Sequence, residues 1–451
     1  YDFNHWNTRD TFIRQISEHY NMKGLKPRHA FVEVDRAPCR SVRKKVRVTY
    51  FSFEESIRSL LEHPMTQNSH NLVINPNDPF GKFIPNDPDE LREVLSGDIY
   101  QDNYHKFIPE DPSSQNFLIF PLCIYMDATQ SDRFGNFKVH PVMVSSTLYS
   151  IKVRRLYCGW RLIGLVPDIY VGFSETDRSR MLTKPGGTGY AVRNLHAMLH
   201  VILQEYIEIQ KRGGILMDHM TINGVTKRNV MVIVPLHMVL GDQEGNDALA
   251  GKGKHEANIS RACYCPKAEA SDMRHKCVWK TKEDMMDLVC NGGVTFREQL
   301  ESCISCSQVP VDNVFWKIEF MDDEHSIHGS SPVCLLHLML QGLFKYIGDC
   351  IIEPLTKHGR GVLDDLCRYL IPMLRQSGVK NNFPRCQFKN GLTGLSQITA
   401  DEREGTIFVF LILFSLPRFN KVTQREIFSK NPDRFPAGEV HTIRKNFAFV
   451  C

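Results

Sequence analysis

The chain has 451 residues, of which 42% are hydrophobic and 24% charged, the balance of a globular protein with about two or three domains' worth of core. The formal net charge of +4 is too small to indicate nucleic-acid binding by itself. The longest apolar run, Ile407 to Leu416, is roughly half the length that a bilayer requires. We therefore expect no membrane span, and no secretory signal is recognised.

The first 115 residues predict a basic arm and a loop-rich lead-in. We expect a helix over Thr11 to Tyr20, then a partly extended arm, then a short amphipathic helix over Phe53 to Leu61. Residues 65–115 are rich in Asn, Asp and Pro and predict loops. The arm carries a dense basic run that is a candidate for DNA phosphate contacts, with a solvated surface as the alternative: Arg40, Arg43, Lys44, Lys45 and Arg47.

An apolar run that ends at a carboxylate organises the middle of the chain. Phe117 to Met126 predicts a buried strand, and Asp127 follows it directly. An acid at the mouth of a buried strand is held by rigid backbone and faces a crevice, which suits a metal ligand. The alternative is a turn residue, the commoner role of a single acid after a strand. Further strands are predicted over Asn136 to Thr147, after a turn at Gly135, and over Tyr149 to Val166.

The same pattern of strand and acid recurs further along the chain. Tyr190 to Lys211 predicts an amphipathic helix. Ile215 to Ile222 and Val225 to Leu240 flank an Asn-Gly pair and predict a hairpin. The second strand of this hairpin runs into Asp242, for which a turn residue is again the alternative.

The remainder predicts a cysteine-containing segment followed by helices. Residues 251–315 look irregular and hold six cysteines, and helices are predicted over Val333 to Leu355, Gly361 to Arg375 and Ala400 to Leu416. Fourteen cysteines without a secretory signal indicate reduced thiols or metal ligands. We divide the chain into a lead-in (1–115), the first part of the core (116–250), an insertion that is cysteine-containing and then helical (251–397), and a final core helix with a basic tail (398–451).

This order of elements predicts a mixed α/β fold. Strands come first and helices later, and acids stand at two strand ends and at the start of the last helix, as is typical of a ribonuclease-H-like fold. The doubly wound nucleotide-binding folds also place acids at strand ends, so the pattern alone leaves both folds open.

Eight ordered blocks between about residue 55 and residue 415 carry a resemblance that favours the first of these folds. They read SIRSLLEHP with NLVINPNDPF and GDIYQDNYHKF; PLCIYMDATQSDRFGNFKVHPVM; WRLIGLVPD; VILQEYIEIQKRGGILMD; GDQEGNDALAGKG; ACYCPKAEASD; HGSSPVCLLHLMLQGLFKY; and RCQFKNGLTGLSQITADEREG. In this order they resemble the transposases of Plavaka-like and related CACTA-type eukaryotic DNA transposons, which use an Asp-Asp-Glu site on a ribonuclease-H-like core.

The resemblance implies that Asp127, Asp242 and Glu402 are the catalytic metal ligands. Glu402 has the matching Ala-x-Glu-x-x-Gly context, and two nearby acids are fallbacks: Asp401 and Glu404. Hard oxygen ligands suit Mg²⁺ or Mn²⁺, and two ions about 3.5–4 Å apart can activate the nucleophile and stabilise the leaving oxygen. Thr399-x-x-Glu402 is also a capping box, so helix capping is the alternative role of Glu402. Asp247 is predicted to be a supporting or surface acid.

The resembled group also carries a Cys-x-x-Cys after the second acid and an acid-or-Cys-x-x-His later. Cys334 and His337 fit the later pair, whereas Ser260 stands where the first cysteine is expected. The resemblance therefore implies a structural zinc site, with buried thiols and a buried histidine as the alternative, at Cys263, Cys265, Cys334 and His337. A second pair with zinc spacing lies outside that motif: Cys303 and Cys306.

The resemblance implies a nuclear cut-and-paste transposase that acts as a homo-oligomer on double-stranded DNA, both transposon ends and target, without a membrane partner. Two alternatives stay open: a non-catalytic DNA-binding protein from a decayed or domesticated element, and a ribonuclease-H-like nuclease without strand transfer. The chain starts at Tyr1 and not at Met, so we expect a segment of a longer protein with an end-binding finger module before it.

Overall fold

The computed structural model describes the parts of the chain on which the fold rests. These are residues 26–35, 43–85, 93–113, 115–127, 129–130, 138–170, 176, 189–253, 258–269, 272, 276–293, 295–333, 357–376, 405–406, 409–410 and 412–413. The chain divides into two compact units, Tyr1–Pro332 and Val333–Cys451. No described helix is long and apolar enough to cross a membrane.

The described strands all belong to the first unit. They are β1 (Arg28–Asp35), β2 (Arg43–Tyr50), β3 (Phe117–Ile119), β4 (Leu122–Met126), β5 (Thr129–Gln130), β6 (Lys138–Ser146), β7 (Arg161–Pro167), β8 (Ile215–Ile222), β9 (Val225–Ile233) and β10 (Leu236–Leu240). Its described α-helices are α1 (Phe53–Leu61), α2 (Pro64–Gln67), α3 (Asp98–Asn103), α4 (Ile151–Arg154), α5 (Tyr190–Lys211), α6 (Gln243–Leu249), α7 (Lys282–Asn291) and α8 (Phe296–Cys303). In the second unit α9 spans Lys357–Gln376, and residues 405–406, 409–410 and 412–413 are helical.

The large sheet has the strand order β1-β2-β7-β6-β4-β10, with β5 beside β6. The strands β4, β6 and β7 form an antiparallel meander, and after α5 the chain returns to place β10 parallel to β4. A small sheet has the order β3-β9-β8. The prediction of a mixed α/β fold is confirmed, and the predicted basic arm contributes two strands to the large sheet.

Two apolar runs that were each predicted as one strand are divided by a proline. β3 and β4 are separated around Pro121, and β9 and β10 around Pro235. Proline has no N–H to donate, so the hydrogen-bond ladder is interrupted there. Because Ile119 pairs with Ile233 and Leu122 with Leu236, both strand pairs pass from the small sheet to the large one side by side.

The helix α5 covers the large sheet and has the predicted bounds, as does α1. Ile202 and Tyr206 of α5 lie in the core, and a Cβ added to Gly164 of β7 would stand 2.7 Å from the Ile202 side chain. Glycine at this position therefore lets the helix approach the sheet. Glu205 holds the start of α1, accepting hydrogen bonds from the Ser52 hydroxyl at 2.8 Å and the Phe53 amide at 2.6 Å.

Three other predicted segments differ from the structure. Residues 65–115, predicted as loops, contain α3 and most of α2. The strand predicted over Tyr149 to Val166 begins only at Arg161. The chain before it turns because the buried Arg161 guanidinium donates to the Cys158 and Trp160 carbonyls at 2.8 and 2.9 Å. The segment predicted as irregular contains α7 and α8, and α8 begins with a reciprocal capping box between Thr295 and Glu298.

Several predicted elements are not tested. The helix predicted over Thr11 to Tyr20, the turn at Gly135, and residues 334–355 of a later helix lie outside the described residues. The helix predicted over Gly361 to Arg375 is present as the slightly longer α9. Where the predicted final helix is described, it is helical.

Candidate active site

Two acids meet where neighbouring parallel strands end. Leu240 of β10 pairs with Tyr125 of β4 in a parallel ladder, and the chain reaches Asp127 and Asp242 two residues after these positions. Parallel neighbours present their carboxyl ends at the same sheet edge, where α/β proteins bind ligands. The structure thus brings together the two aspartates that the repeated strand-to-acid pattern singled out, and both line one cleft.

The loop between β10 and α6 packs closely against the end of β4. A Cβ added to Gly241 would lie 2.7 Å from the Met126 carbonyl oxygen. Real Cβ atoms do not come that close to a carbonyl oxygen, so a larger residue at Gly241 would push the two strand ends apart. Glycine here lets Asp127 and Asp242 follow strands whose ends are in contact.

Asp242 has a structural role in addition to its place in the cleft. It is the N-cap of α6, and its Oδ1 accepts a hydrogen bond from the Gly245 amide. The turn-capping role considered from the sequence is therefore real. The second oxygen, Oδ2, accepts no hydrogen bond from the described residues, so one carboxylate oxygen is left for a ligand.

Asp127 is oriented by its own strand. The Tyr125 hydroxyl donates to Asp127 Oδ2 at 3.2 Å, since residues two apart point to the same side of a strand. The Tyr125 ring packs edge-to-face on Trp160 with ring centroids 6.1 Å apart. The half-buried carboxylate is therefore held by an aromatic side chain that is itself fixed.

The cleft has a volume of about 300 Å³ and a mainly apolar wall beside the acids. The wall is formed by the end of β7 and the first turns of α5, with Val166, Pro167, Ile169, Tyr170, Val192, Leu195 and Met198. Three further acids also line it: Asp168, Glu244 and Asp247. Asp168 follows β7, which runs parallel to β4, and its Oδ1 accepts from the Tyr170 amide at 2.9 Å.

Asp168 was missed in the sequence analysis. The signal was available, because Asp168 follows an apolar strand just as Asp127 and Asp242 do. The strand was predicted to end at Val166, and the acid two residues later was not considered as a site residue.

Asp247 supports the acid-bearing helix. Its carboxylate pairs with Arg261 Nη1 at 3.2 Å and with Lys252 Nζ at 3.4 Å. Arg261 is buried and also donates to the carbonyls of Ser331 and Pro332. These contacts fix α6 to the following segment, in line with the supporting role predicted for Asp247.

The third predicted ligand lies outside the described residues, together with its fallbacks: Glu402, Asp401 and Glu404. Convergence of three carboxylates is therefore not tested. Within the described ranges, no group of three or more His, Cys, Asp or Glu side chains is arranged to hold a metal ion.

The predicted zinc ligands are only partly described, because Cys334 and His337 fall outside the described residues. Cys263 pairs across an antiparallel bridge with Trp279, a register that places Cys265 opposite Cys277. Partial burial and hydrogen bonding with the Cys265 and Cys263 thiols raise the pKa of the Cys277 thiol to about 12. Cys277 was not recognised as their neighbour.

Ser260, which replaces the expected cysteine, has a local role. Its hydroxyl accepts hydrogen bonds from the amides of Ala262 and Cys263 at 3.1 and 3.2 Å, closing a turn before the thiols. Cys303, of the second pair with zinc spacing, is fully buried, and Cys306 is half-buried.

The predicted DNA-contact residues begin the strand β2. Lys44 and Lys45 are exposed and Arg47 is half-buried. Arg43 is the first residue of β2, and Arg40 lies outside the described residues. From Arg43 onwards, the basic run of the predicted arm therefore belongs to a paired strand.

A buried histidine connects the acid-bearing helix to α5. The His196 ring accepts from the Val314 amide at Nδ1 and donates from Nε2 to the Ala248 carbonyl at 3.2 Å. Complete burial lowers the pKa of His196 to about 4, despite the Ala248 carbonyl, which acts in the opposite direction. The neutral ring therefore holds the end of α6.

No protein-family model matches the chain, and no curated protein matches its sequence.

Proposed function

We propose that the protein is a DNA transposase that cleaves transposon-end phosphodiesters and joins them to target DNA by two-metal-ion catalysis. The observation that carries the proposal is the placement of Asp127 and Asp242 after adjacent parallel strands in one cleft. The ordered sequence blocks support the same function and add Glu402 as the third ligand.

The strand order supports a ribonuclease-H-like core. An antiparallel meander of β4, β6 and β7 is followed by the crossover helix α5 and by β10, parallel to β4. The first acid follows the first strand of the meander and the second acid follows the crossover strand. This arrangement favours the predicted fold over the doubly wound alternative, which is built from mostly parallel strands.

The residues fit hard divalent cations. Asp127 and Asp242 offer carboxylate oxygens at the ends of rigid strands, and Mg²⁺ or Mn²⁺ prefers such ligands while keeping several waters. When bound, two such ions would activate the attacking oxygen and stabilise the leaving 3′-oxygen. Tyr125 orients Asp127 through its hydroxyl, and capping of α6 engages only Oδ1 of Asp242.

The test is metal-dependent nicking of supercoiled plasmid by the purified chain. We expect nicking in Mg²⁺ that disappears in Asp127→Ala, because one ligand of the ion is removed. Asp218→Asn is the matched control, since Asp218 is an exposed acid on β8. Nicking that survives Asp127→Ala in a folded protein would place the chemistry elsewhere.

Strand transfer separates the proposal from its alternatives. A labelled oligonucleotide with a free 3′-hydroxyl should become joined to the plasmid by a transposase. A nuclease without strand transfer would nick and never join, and a non-catalytic DNA-binding protein would bind without either product. The proposal includes a nuclear location and a homo-oligomer on DNA, which imaging of the tagged chain and light scattering can examine.

A further inference from the structure

The strands β1 and β2 form a two-stranded ribbon with two different faces. Val32, Val34 and Val48 are buried on one face. On the other, Phe31 lies opposite Arg47 and Glu33 lies opposite Lys45. The side chain of Phe31 is 70% exposed, although a phenylalanine in a sheet is ordinarily covered. The outer face of the ribbon thus presents an uncovered aromatic ring beside two cations, Lys45 and Arg47, and one acid, Glu33.

The ribbon is anchored rigidly at the end near the cleft. The Asn194 amide of α5 both accepts from the Asp35 amide at 2.9 Å and donates to the Asp35 carbonyl at 2.8 Å. The Asp35 carboxylate pairs with Arg193 at 2.6 Å. The buried Asp35 and its partners therefore fix the end of β1, so the outer face has a defined direction before any partner binds.

The basic end of the ribbon lies at the same sheet edge as the two acids. β2 is antiparallel to β7, which runs in the direction of β4, so β2 begins where β4 ends in Asp127. Three strand spacings separate β2 from β4, about 14 Å, which corresponds to about four base pairs of duplex. A duplex seated at the acids therefore reaches the ribbon.

The ribbon also projects past that edge. Thr49 lies opposite Leu165, and β7 ends at Pro167, two residues later. The four residues of β2 before Arg47 therefore extend about 13 Å beyond the end of β7. Four of the first five residues of β2 are cationic, in the order Arg43, Lys44, Lys45, Val46 and Arg47. This projecting end has the charge that a polyanion requires.

We propose that the outer face of the β1–β2 ribbon binds the DNA duplex beside the phosphodiester that is cut. Lys45 and Arg47 contact phosphates, and Phe31 enters a groove and packs on a sugar or base. A two-stranded ribbon fits the major groove, and an apolar side chain among phosphate-binding cations adds contact that salt does not screen. The inference rests on the proposed function, because it takes DNA to be the ligand of the cleft.

The experiment measures binding of the full chain to a fluorescent duplex by anisotropy, in EDTA so that no metal-dependent cutting occurs. We expect Lys45→Ala to reduce the slope of log affinity against log salt by about one unit. Phe31→Ala should weaken binding by about tenfold and leave the salt slope unchanged, since it removes apolar contact and no charge. Phe31→Tyr should restore most of the affinity.

Lys152→Ala is the matched control. Lys152 is exposed on α4, after β6 has crossed to the opposite sheet edge, so its loss removes the same charge far from the proposed contact. Equal effects of Lys45→Ala and Lys152→Ala, or unchanged binding in Phe31→Ala, would overturn the inference. Thermal melting checks that each variant is folded, which is expected because the changed side chains are exposed.

The remaining outcomes separate this inference from the proposed function. If the wild-type chain nicks DNA and the ribbon variants bind DNA normally, the inference about the ribbon is overturned and the transposase proposal stays intact. If binding depends on the ribbon but the chain never nicks DNA, DNA binding by the ribbon is supported and the proposed enzymatic activity is rejected. β1 is an edge strand, so light scattering is included. If Phe31→Ala dissociates a dimer and leaves the intrinsic affinity of each chain for DNA unchanged, the surface binds a second copy and the inference fails.

Discussion

At the scale of single residues, Asp242 carries two roles that can be separated by substitution. We expect Asp242→Asn to keep the stability of the protein, because Asn caps a helix about as well as Asp. Asp242→Ala should lower the free energy of unfolding by about 1 kcal/mol. Both variants should lose Mg²⁺-dependent nicking, because neither keeps the carboxylate. Urea unfolding and plasmid nicking, measured on the same variants, separate the two roles. An Asp242→Asn chain with full activity would show that Asp242 serves only as a helix cap.

Glu402 can be distinguished from its neighbours in the same way. We expect Glu402→Gln to abolish nicking and Glu404→Gln to leave it largely intact, since Glu402 has the Ala-x-Glu-x-x-Gly context. Glutamine retains the shape and helix propensity of glutamate, so each substitution removes the charge with little other change. If the two variants lose activity equally, or only Glu404→Gln loses it, the assignment of the third ligand is wrong.

The acids also show which features of the site can be predicted from the sequence at the scale of single residues. Asp127 and Asp242 could be predicted because each follows a long apolar run. The contact of Gly241 with the Met126 carbonyl could not, since it depends on which strands become neighbours. The same limit applies to Cys277, whose approach to Cys265 depends on a pairing between segments with no strand periodicity.

The thiols give a third residue-scale prediction. Thiolates and not thiols react with alkylating agents, and the pKa of Cys277 is raised to about 12 by partial burial and its hydrogen-bonded thiol neighbours. We therefore expect iodoacetamide at mildly alkaline pH to label the exposed Cys290 of α7 well before Cys277. Peptide mass spectrometry measures both rates. Equal labelling would mean that the thiol group does not form as described.

At the scale of elements, the ends of apolar runs were harder to predict than their existence. Pro121 and Pro235 each lie inside an apolar run, and length and hydrophobicity alone did not reveal that the chain changes sheets there. The capping box of Thr295 and Glu298 was equally visible in the sequence, but the short helix that it starts has too few apolar residues to show a period.

The contact between α5 and α6 makes stability depend on pH through His196. Its pKa in the folded protein is lowered by burial to about 4, whereas an unfolded histidine has a pKa near 6.5. The unfolded chain then binds the proton first on acidification, so this stabilisation is present above about pH 6.5 and is lost as the pH falls towards 4. Other buried histidines, His237 and His328, also have lowered pKa values and act in the same direction.

We expect each of these histidines to reduce the free energy of unfolding by about 1.4 kcal/mol per pH unit within that range. Urea unfolding at neutral pH and at mildly acidic pH measures the slope of the free energy of unfolding against pH. His196→Asn should reduce this slope by the contribution of about one proton. A slope that is unchanged in the folded His196→Asn protein would show that the ring does not titrate in this way.

At the scale of the whole molecule, metal binding should be visible without catalysis. A ligand that binds the folded state at ten times its dissociation constant adds about 1.4 kcal/mol of stability. We expect Mg²⁺ to raise the melting temperature of the wild-type chain and EDTA to reverse the effect. Asp127→Asn should abolish the shift while Asp218→Asn retains it. A shift that is identical in all three proteins would reflect ionic strength and not a site.

The architecture as a whole could be predicted only in part. The order of strands, helix and acids indicated a mixed α/β fold, because each element has its own period and is closed by turn residues. Which strands become neighbours in the sheet was not predicted. The place of β1 and β2 at the side of the same sheet could not be read from the chain. Their basic, alternating sequence is equally compatible with a solvated arm, and only pairing with β7 distinguishes the two.

The pairing of β4 with β10 has a consequence for folding kinetics. It joins Leu122 to Leu236, so a long loop must be closed before the ladder returns any free energy. The meander of β4, β6 and β7 involves nearer neighbours, and we expect it to form earlier. Until β10 docks, β4, which leads to Asp127, is an open edge strand with which a strand of another chain can pair. Once Asp127 and Asp242 lie in one cleft, β10 has docked, and the sheet has passed the step that we expect to be its slowest and most aggregation-prone.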